Sequence, residues 1–189
     1  LATTETQKIP ATILSRCQVI TFRPLSASHL IRKLVEQGID AQDAAVAAQL
    51  ANRYEEAVAL CSDDWFAQAQ SKVLKLYEAL NQDYMKALLY LQDEWFSHFK
   101  EKSQIDRGLD LLLLIYKDLL YIQLDKMDSV VFKKRQAEFE RHALQYAQRR
   151  LAVNMEAVLE AKRRLMSNTN PQLVMEQLVL NLQEGLSFV

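Results

Sequence analysis

Glycine and proline are scarce in this sequence, three of each in 189 residues, and that scarcity excludes much. A turn-rich β sandwich, a collagen-like repeat and a disordered linker all need more of one or both. Half of the residues are hydrophobic, enough to bury a real core, so an all-helical chain with short connections is expected. Cysteine is limited to Cys17 and Cys61. With no second pair and no metal-ligand spacing they exclude a disulfide framework, and they are expected to be packed, inert thiols in a reducing cytoplasm. Neither sign of charge dominates: 23 Lys and Arg against 24 Asp and Glu give a net charge of -1, so no overall pull toward nucleic acid follows. The greasiest run, Leu109 to Leu124, is broken by Asp110, Lys117 and Asp118, which argues against a membrane span, and no signal peptide is evident. His29, His98 and His142 stand far apart without paired acids or thiols, a poor basis for a metal site or a His-centred catalytic set. No Gly-rich phosphate loop is present.

What is there is helical periodicity. Ser26 is placed to cap a helix with Leu30, Ile31, Leu34 and Val35 inward, which Gly38 ends in the left-handed conformation. Asp40 caps an Ala-rich helix through Ala44 to Ala51, and a third short helix runs roughly from Tyr54 to Cys61. After Asp63 or Asp64 as cap, the helices lengthen. One carries Phe66, Val73, Leu76, Tyr77 and Leu80, and Asn81-Gln82-Asp83 breaks it. The next, Tyr84 to Phe99, carries Leu88, Leu91, Trp95 and Phe99. Gln104 to Lys126 is apolar nearly all round, as a central bundle helix should be. Val130 to Tyr146 places Phe132, Phe139 and Tyr146 at sevenfold spacing, which predicts one further helix. A change of direction is expected near Gln148 to Asn154, then a helix through Met155, Val158, Leu159, Leu165 and Met166. Asn170-Pro171 opens the last, with Leu173, Leu178, Val179 and Leu182.

One stretch exceeds packing: Lys8 to Gln18. Pro10 pre-sets a short helical turn whose apolar side is Ile13 and Leu14. Ser15-Arg16-Cys17 ends it, and Gln18 to Phe22 alternates as a strand. From the residues alone, Arg16 is a surface cation in a weak ion pair, or a cation aimed at a partner. The chain opens at Leu1 in what reads as mid-strand, so it is expected to be the C-terminal part of a longer protein.

Leu1-Ala2-Thr3-Thr4-Glu5, Lys8-Ile9-Pro10 and Thr12-Ile13-Leu14-Ser15-Arg16-Cys17 resemble the end of the AAA+ core in subunits of bacterial DNA polymerase III clamp loaders. The resemblance implies that Thr3 and Thr4 mark the sensor 1 region. It also implies that Arg16, supported by Ser15 and Cys17, is an arginine finger reaching the nucleotide site of the neighbouring subunit. It divides the chain into the end of an α/β core with its last strands (1–24), a three-helix lid (25–64) and a five- to six-helix collar bundle for ring assembly (65–189). In the ATPase branch, gamma/tau, the third lid helix opens with a Gly-Ser/Asp-x-Arg-Asp-Ala type motif. Here the stretch is Ala51-Asn52-Arg53-Tyr54-Glu55-Glu56-Ala57, with Glu55 where that arginine stands and Arg53 turned to another face. A carboxylate there is wrong for a triphosphate.

Leu60-Cys61-Ser62-Asp63-Asp64-Trp65, the run Ala161 to Pro171, Leu173 and Glu176-Gln177-Leu178 resemble the non-hydrolysing delta-prime branch. That implies no bound cofactor, ATP being held by the neighbour, and no activity of the chain by itself. It implies gamma/tau and delta subunits as partners, with the sliding clamp and primed DNA reached through the complex. A gamma/tau-type ATPase and an unrelated helical adaptor are the rival readings. The basic clusters Lys133-Lys134-Arg135, Arg149-Arg150 and Lys162-Arg163-Arg164 are interleaved with Glu138, Glu140, Glu156 and Glu160. They are expected to form a solvated or inter-subunit face, with Glu160 paired to Arg164, rather than a nucleic-acid surface.

Overall fold

The computed structural model describes residues 9–18, 25–167 and 169–184. The strands expected around Thr3 and Thr4 and over Gln18 to Phe22 fall, but for Gln18, outside the described residues. Among the described residues the architecture is all-α.

After a single short turn of helix, α1 (Ala11–Leu14), three short helices form a unit of their own: α2 (Ala27–Glu36), α3 (Ala41–Leu50) and α4 (Tyr54–Cys61). Side-chain caps start the first two, Ser26 accepting from His29 N–H and Asp40 from Gln42 N–H. Gly38, at φ 85°, turns the chain between them. Their shared core is small: Leu34, Ala44, Ala47, Ala51 and Ala57. Val35 was expected inward but is 42% exposed, because it lies about 100° around the helix from Leu34.

The larger body begins at α5 (Asp64–Gln82), capped by Asp63, whose carboxylate accepts from Trp65 N–H. Asp83 then ends α5 and caps α6 (Tyr84–Tyr90). A wider π turn, Leu91–Trp95, leads into α7 (Phe96–His98). Its cause is legible: Ala87, Leu91, Trp95 and Phe99 are all buried at intervals of four. An ideal α-helix would rotate such a stripe by about 40° per step, and a wider turn brings it back into line. The central helix α8 (Lys102–Gln123) opens with a reciprocal capping box between Glu101 and Gln104.

The single helix expected over Val130 to Tyr146 is a correction. Two 3-10 turns, Met127–Ser129 and Lys133–Arg135, precede a short α9 (Gln136–Ala143). The chain bends at residues 144–147, so Gln148 to Asn154 already belong to α10 (Gln148–Met166). Asn170 accepts from Gln172 N–H at the start of α11 (Pro171–Glu184).

Around α8 pack α5, α9 and α10, and α11 closes over α10 and α6. Trp95, Tyr77, Tyr116, Phe66, Phe99 and Phe139 are the largest fully buried side chains. Val158 and Leu165 of α10 point into this core as expected. Leu159 (44% exposed), Met166 (74%) and Leu173 (57%) do not, since the inward stripes of α10 and α11 are already complete without them.

Candidate functional site

The exposed Ser-Arg-Cys turn is built locally. Pro10, extended at ψ 138°, hands its carbonyl to Ile13 N–H at 2.9 Å and Leu14 N–H at 3.2 Å. Ser15 Oγ donates to the Thr12 carbonyl at 3.2 Å, Arg16 N–H to Ile13 O at 3.1 Å and Cys17 N–H to Leu14 O at 3.2 Å. No residue of α1 is buried, and Ser15, Arg16 and Cys17 are all exposed. A guanidinium held on such a turn is a permanent cation with a planar, bidentate fork, suited to phosphate oxygens outside its own chain. The packed thiol expected at Cys17 is a correction: among the described residues nothing covers it, whereas Cys61 is half-buried and its thiol is pushed up by burial. Thr3 and Thr4 lie outside the described residues.

Glu55, exposed, sits in the first turn of α4, with Glu56 beside it and Arg53 at the cap position. Both carboxylates face the positive end of a helix, which gives Glu55 a structural role. Glu56 also accepts from Asn52 N–H at 3.2 Å.

Lys134, Arg135, Arg150, Lys162 and Arg163 of the basic clusters find partners within the chain. Lys134 pairs with Asp40 at 2.9 Å, and Arg135 pairs with Glu78 and, at 2.6 Å, with Glu138. Arg150 donates to Asn154 Oδ1 at 3.0 Å and to the Leu182 carbonyl, tying α11 to α10. Lys162 bridges Asp106, at 3.0 Å, and Asp110 of α8. Glu160 pairs with Arg163, at 2.8 Å to its Nε, and not with Arg164 as expected; residues three apart on a helix are neighbours as residues four apart are. The histidines are also structural: His98 lies flat on Trp65 with ring centres 5.1 Å apart, and His142 Nδ1 is 2.9 Å from the Tyr77 hydroxyl. Among the described residues no group of His, Cys, Asp or Glu is placed to hold a metal ion, and no helix is long and apolar enough to cross a membrane.

Sequence reasoning missed one junction, between α3 and the bundle. Asp118 of α8 is fully buried, yet its carboxylate accepts from Val131 N–H at 2.9 Å and Phe132 N–H at 2.7 Å. From the other side, Gln42 of α3 donates to Val131 O at 2.9 Å and accepts from Lys134 N–H at 3.3 Å. Lys117 reaches Gln49 Oε1 at 2.7 Å. In the sequence, Asp118 reads as a charge interrupting an apolar run. A buried carboxylate needs donors, and nothing in the sequence pattern pointed to where they lay.

Residues 94–184 match the family described as DNA polymerase III, delta subunit, C terminal. Over 185 residues, 98% of the chain, it is 43% identical to "DNA polymerase III subunit delta'" of Bacillus subtilis (strain 168). The chain is a homologue of the DNA polymerase III delta-prime subunit. It spans 56% of the length of that curated relative. The family match falls on the region from the π turn through α11, while Arg16 and the three-helix unit are covered by the delta-prime relative alone.

Proposed function

We propose that this chain is the lid and collar portion of a clamp-loader subunit of the delta-prime type, part of the DNA polymerase III assembly that places a sliding clamp on primed DNA. The observation that carries this reading is 43% identity to a delta-prime subunit along nearly the whole chain. On this reading α2–α4 form the lid, the helices from α5 onward form the collar, and gamma/tau and delta subunits are the neighbours in the ring. Clamp and primed DNA are met through the complex.

Arg16 is the residue we assign to catalysis, in trans. ATP is held by the adjacent gamma/tau subunit and this chain holds none. The exposure of Arg16 supports the assignment, because among the described residues the guanidinium is not packed into a core. Placed against the γ-phosphate, it offsets the charge that builds on the equatorial oxygens as the phosphoryl group departs. A finger of this kind is worth about 10³ or more in rate. Ser15 and Cys17 hold the turn through Thr12 O and Leu14 O. Glu55, at the start of α4, supports a subunit that senses no nucleotide of its own.

The test is ATP hydrolysis by the reconstituted loader, stimulated by clamp and primed DNA, with Arg16→Ala in the full-length protein and ring assembly followed by gel filtration. A fall of about tenfold or more in an intact ring is expected, and Arg16→Lys should recover only part of it because the planar fork is lost. Unchanged hydrolysis in an intact ring would reject the finger.

A further inference from the structure

We propose that Asp118, the segment Val130 to Lys134 and Gln42 form a hydrogen-bonded lock that fixes the angle between the three-helix unit and the bundle. Gln42 and Asp118 are then positioning residues for whatever the N-terminal side of the chain presents. The lock stands on geometry alone; its functional consequence, the aim of Arg16, rests on the function proposed above.

Helix α3 has two apolar sides. Ala44 and Ala47 belong to the small core, whereas Val46 is buried in the large one, with Ala45 and Leu50 packed against it. That contact is narrow. Beside it opens a cleft of about 540 Å³ lined by Ile31, Gln42, Lys117, Tyr121 and Val131, so apolar packing does not close this side. Packing is also non-directional and permits sliding, while hydrogen bonds specify distance and angle.

Those bonds are arranged in series. The Val130 to Lys134 segment does not run as an α-helix, so its backbone groups are free to be used. Asp118 takes the N–H groups of Val131 and Phe132, which sets the segment's path. Gln42 then grips the same segment with both ends of its amide, at Val131 O and Lys134 N–H. The neighbouring residue on α8, Lys117, crosses directly to Gln49 of α3, and Lys134 Nζ closes the outer edge on Asp40. Two consecutive α8 residues therefore reach α3, one directly and one through the link, and Arg107 of α8 adds a parallel contact to the Leu50 carbonyl at 3.5 Å.

A series arrangement makes an asymmetric prediction. In the full-length protein, followed residue by residue by NMR, Gln42→Leu should speed hydrogen exchange at the Lys134 amide by about tenfold. It should leave the Val131 and Phe132 amides protected. Asp118→Asn should speed all three. Residual dipolar couplings read the angle itself: in the unmodified protein both units share one alignment, and in Gln42→Leu the couplings of α2–α4 should shrink relative to those of α8 and α10. If both units keep one alignment in Gln42→Leu, packing and the remaining contacts at Lys117–Gln49 and Lys134–Asp40 fix the angle without Gln42, and the lock is overturned. This holds even if Asp118→Asn fails to fold.

In the reconstituted ring, Gln42→Leu should lower kcat for ATP hydrolysis with assembly intact. Adding it to Arg16→Ala should lower kcat no further, since both act through one group. If Arg16→Ala alone has no effect, the finger fails while the couplings still decide the lock. If Arg16→Ala is damaging and Gln42→Leu is silent, the positioning role is wrong.

Discussion

The three-helix unit and the bundle solve the same packing problem with opposite materials. The fully buried centre of the unit α2–α4 is one leucine and four alanines, with Ile31, Ile39, Tyr54 and Val58 partly buried around it; the small side chains let helices approach closely but remove little apolar surface from water. The bundle uses Trp95, Tyr77, Tyr116, Phe66, Phe99 and Phe139, with Tyr77 edge-on to both Tyr116 and Phe139 at 6.1 and 5.7 Å. Aromatics bury several times the area of an alanine and add geometric preference. The smaller unit leans on the bundle through Val46, Leu50 and the polar contacts at Val131 and Lys134. The difference teaches that the small unit's placement, more than its internal core, is what the sequence invests in.

The largest expected effect is in the bundle. Trp95→Ala removes a fully buried ring and should cost about 3–5 kcal/mol, unfolding the whole chain with it. Leu34→Ala should cost about 2–4 kcal/mol, but in the small unit alone. The two tryptophans, Trp65 and Trp95, both belong to the bundle. Fluorescence thus reports the bundle and far-ultraviolet circular dichroism reports every helix. In Leu34→Ala the dichroism transition should begin before the fluorescence one. Coincident curves would mean the two regions melt as one and the comparison is wrong.

Two glycines sharpen the contrast at smaller scale. A Cβ on Gly108 would meet the Trp95 ring at 2.7 and 2.9 Å and Phe99 at 3.0 Å. The rings stack 4.0 Å apart in a sealed core and have little room to yield. Gly108→Ala gains about 1 kcal/mol of helix propensity and loses about 1–3 to overpacking, for a net loss of about 1. Gly38 has nothing within 4 Å of its would-be Cβ but sits at φ 85°, so Gly38→Ala should lose about 1–2 kcal/mol from backbone strain alone. Replacing Trp95 by Leu should relieve Gly108→Ala and leave Gly38→Ala unchanged, and chemical unfolding of the three single variants and the two double variants with Trp95→Leu checks it.

Local chemistry was legible in the sequence and remote pairing was not. Ser26, Asp40, Asp63 and Asn170 announced their helices because a cap is a contact with residues two or three places on. Tyr54–Cys61 was legible roughly, from its short apolar run, although no side chain caps it. The sevenfold spacing of Phe132, Phe139 and Tyr146 misled, because apolar spacing is blind to a buried carboxylate thirteen residues upstream that draws Val131 and Phe132 out of a helix. The outward Met166 and Leu173 show the same limit: periodicity says which residues are apolar, and only the neighbours decide which stripe is covered. Arg16 was legible as a motif, and its exposure is in keeping with that reading. On the function proposed above, what it would act on belongs to another subunit, which no pattern within this chain encodes.

The smallest predicted effect, one of pH, separates two aspartates of the junction. Asp40 is held below the ordinary carboxylate range by the Lys134 ammonium and the Gln42 N–H, whereas burial pushes Asp118 above it despite its two backbone donors. A lowered value means the folded state binds its proton less readily than the unfolded chain. The Asp40 contribution is therefore present above the ordinary aspartate value of about 4 and is lost as pH falls through the folded one. For Asp118 the sign reverses. The folded state binds the proton more readily, so its stability contribution grows as pH falls from the raised value toward about 4. Urea unfolding between about pH 3 and 7 should show Lys134→Ala converging on the unmodified protein as the solution becomes acidic, because both then lack the charged pair. Asp118→Asn should diverge from it over the same interval, since only the native carboxyl can take up the proton. Parallel curves for the two variants would mean that the buried and the exposed carboxylate feel the same environment, and the junction would then have no dry side.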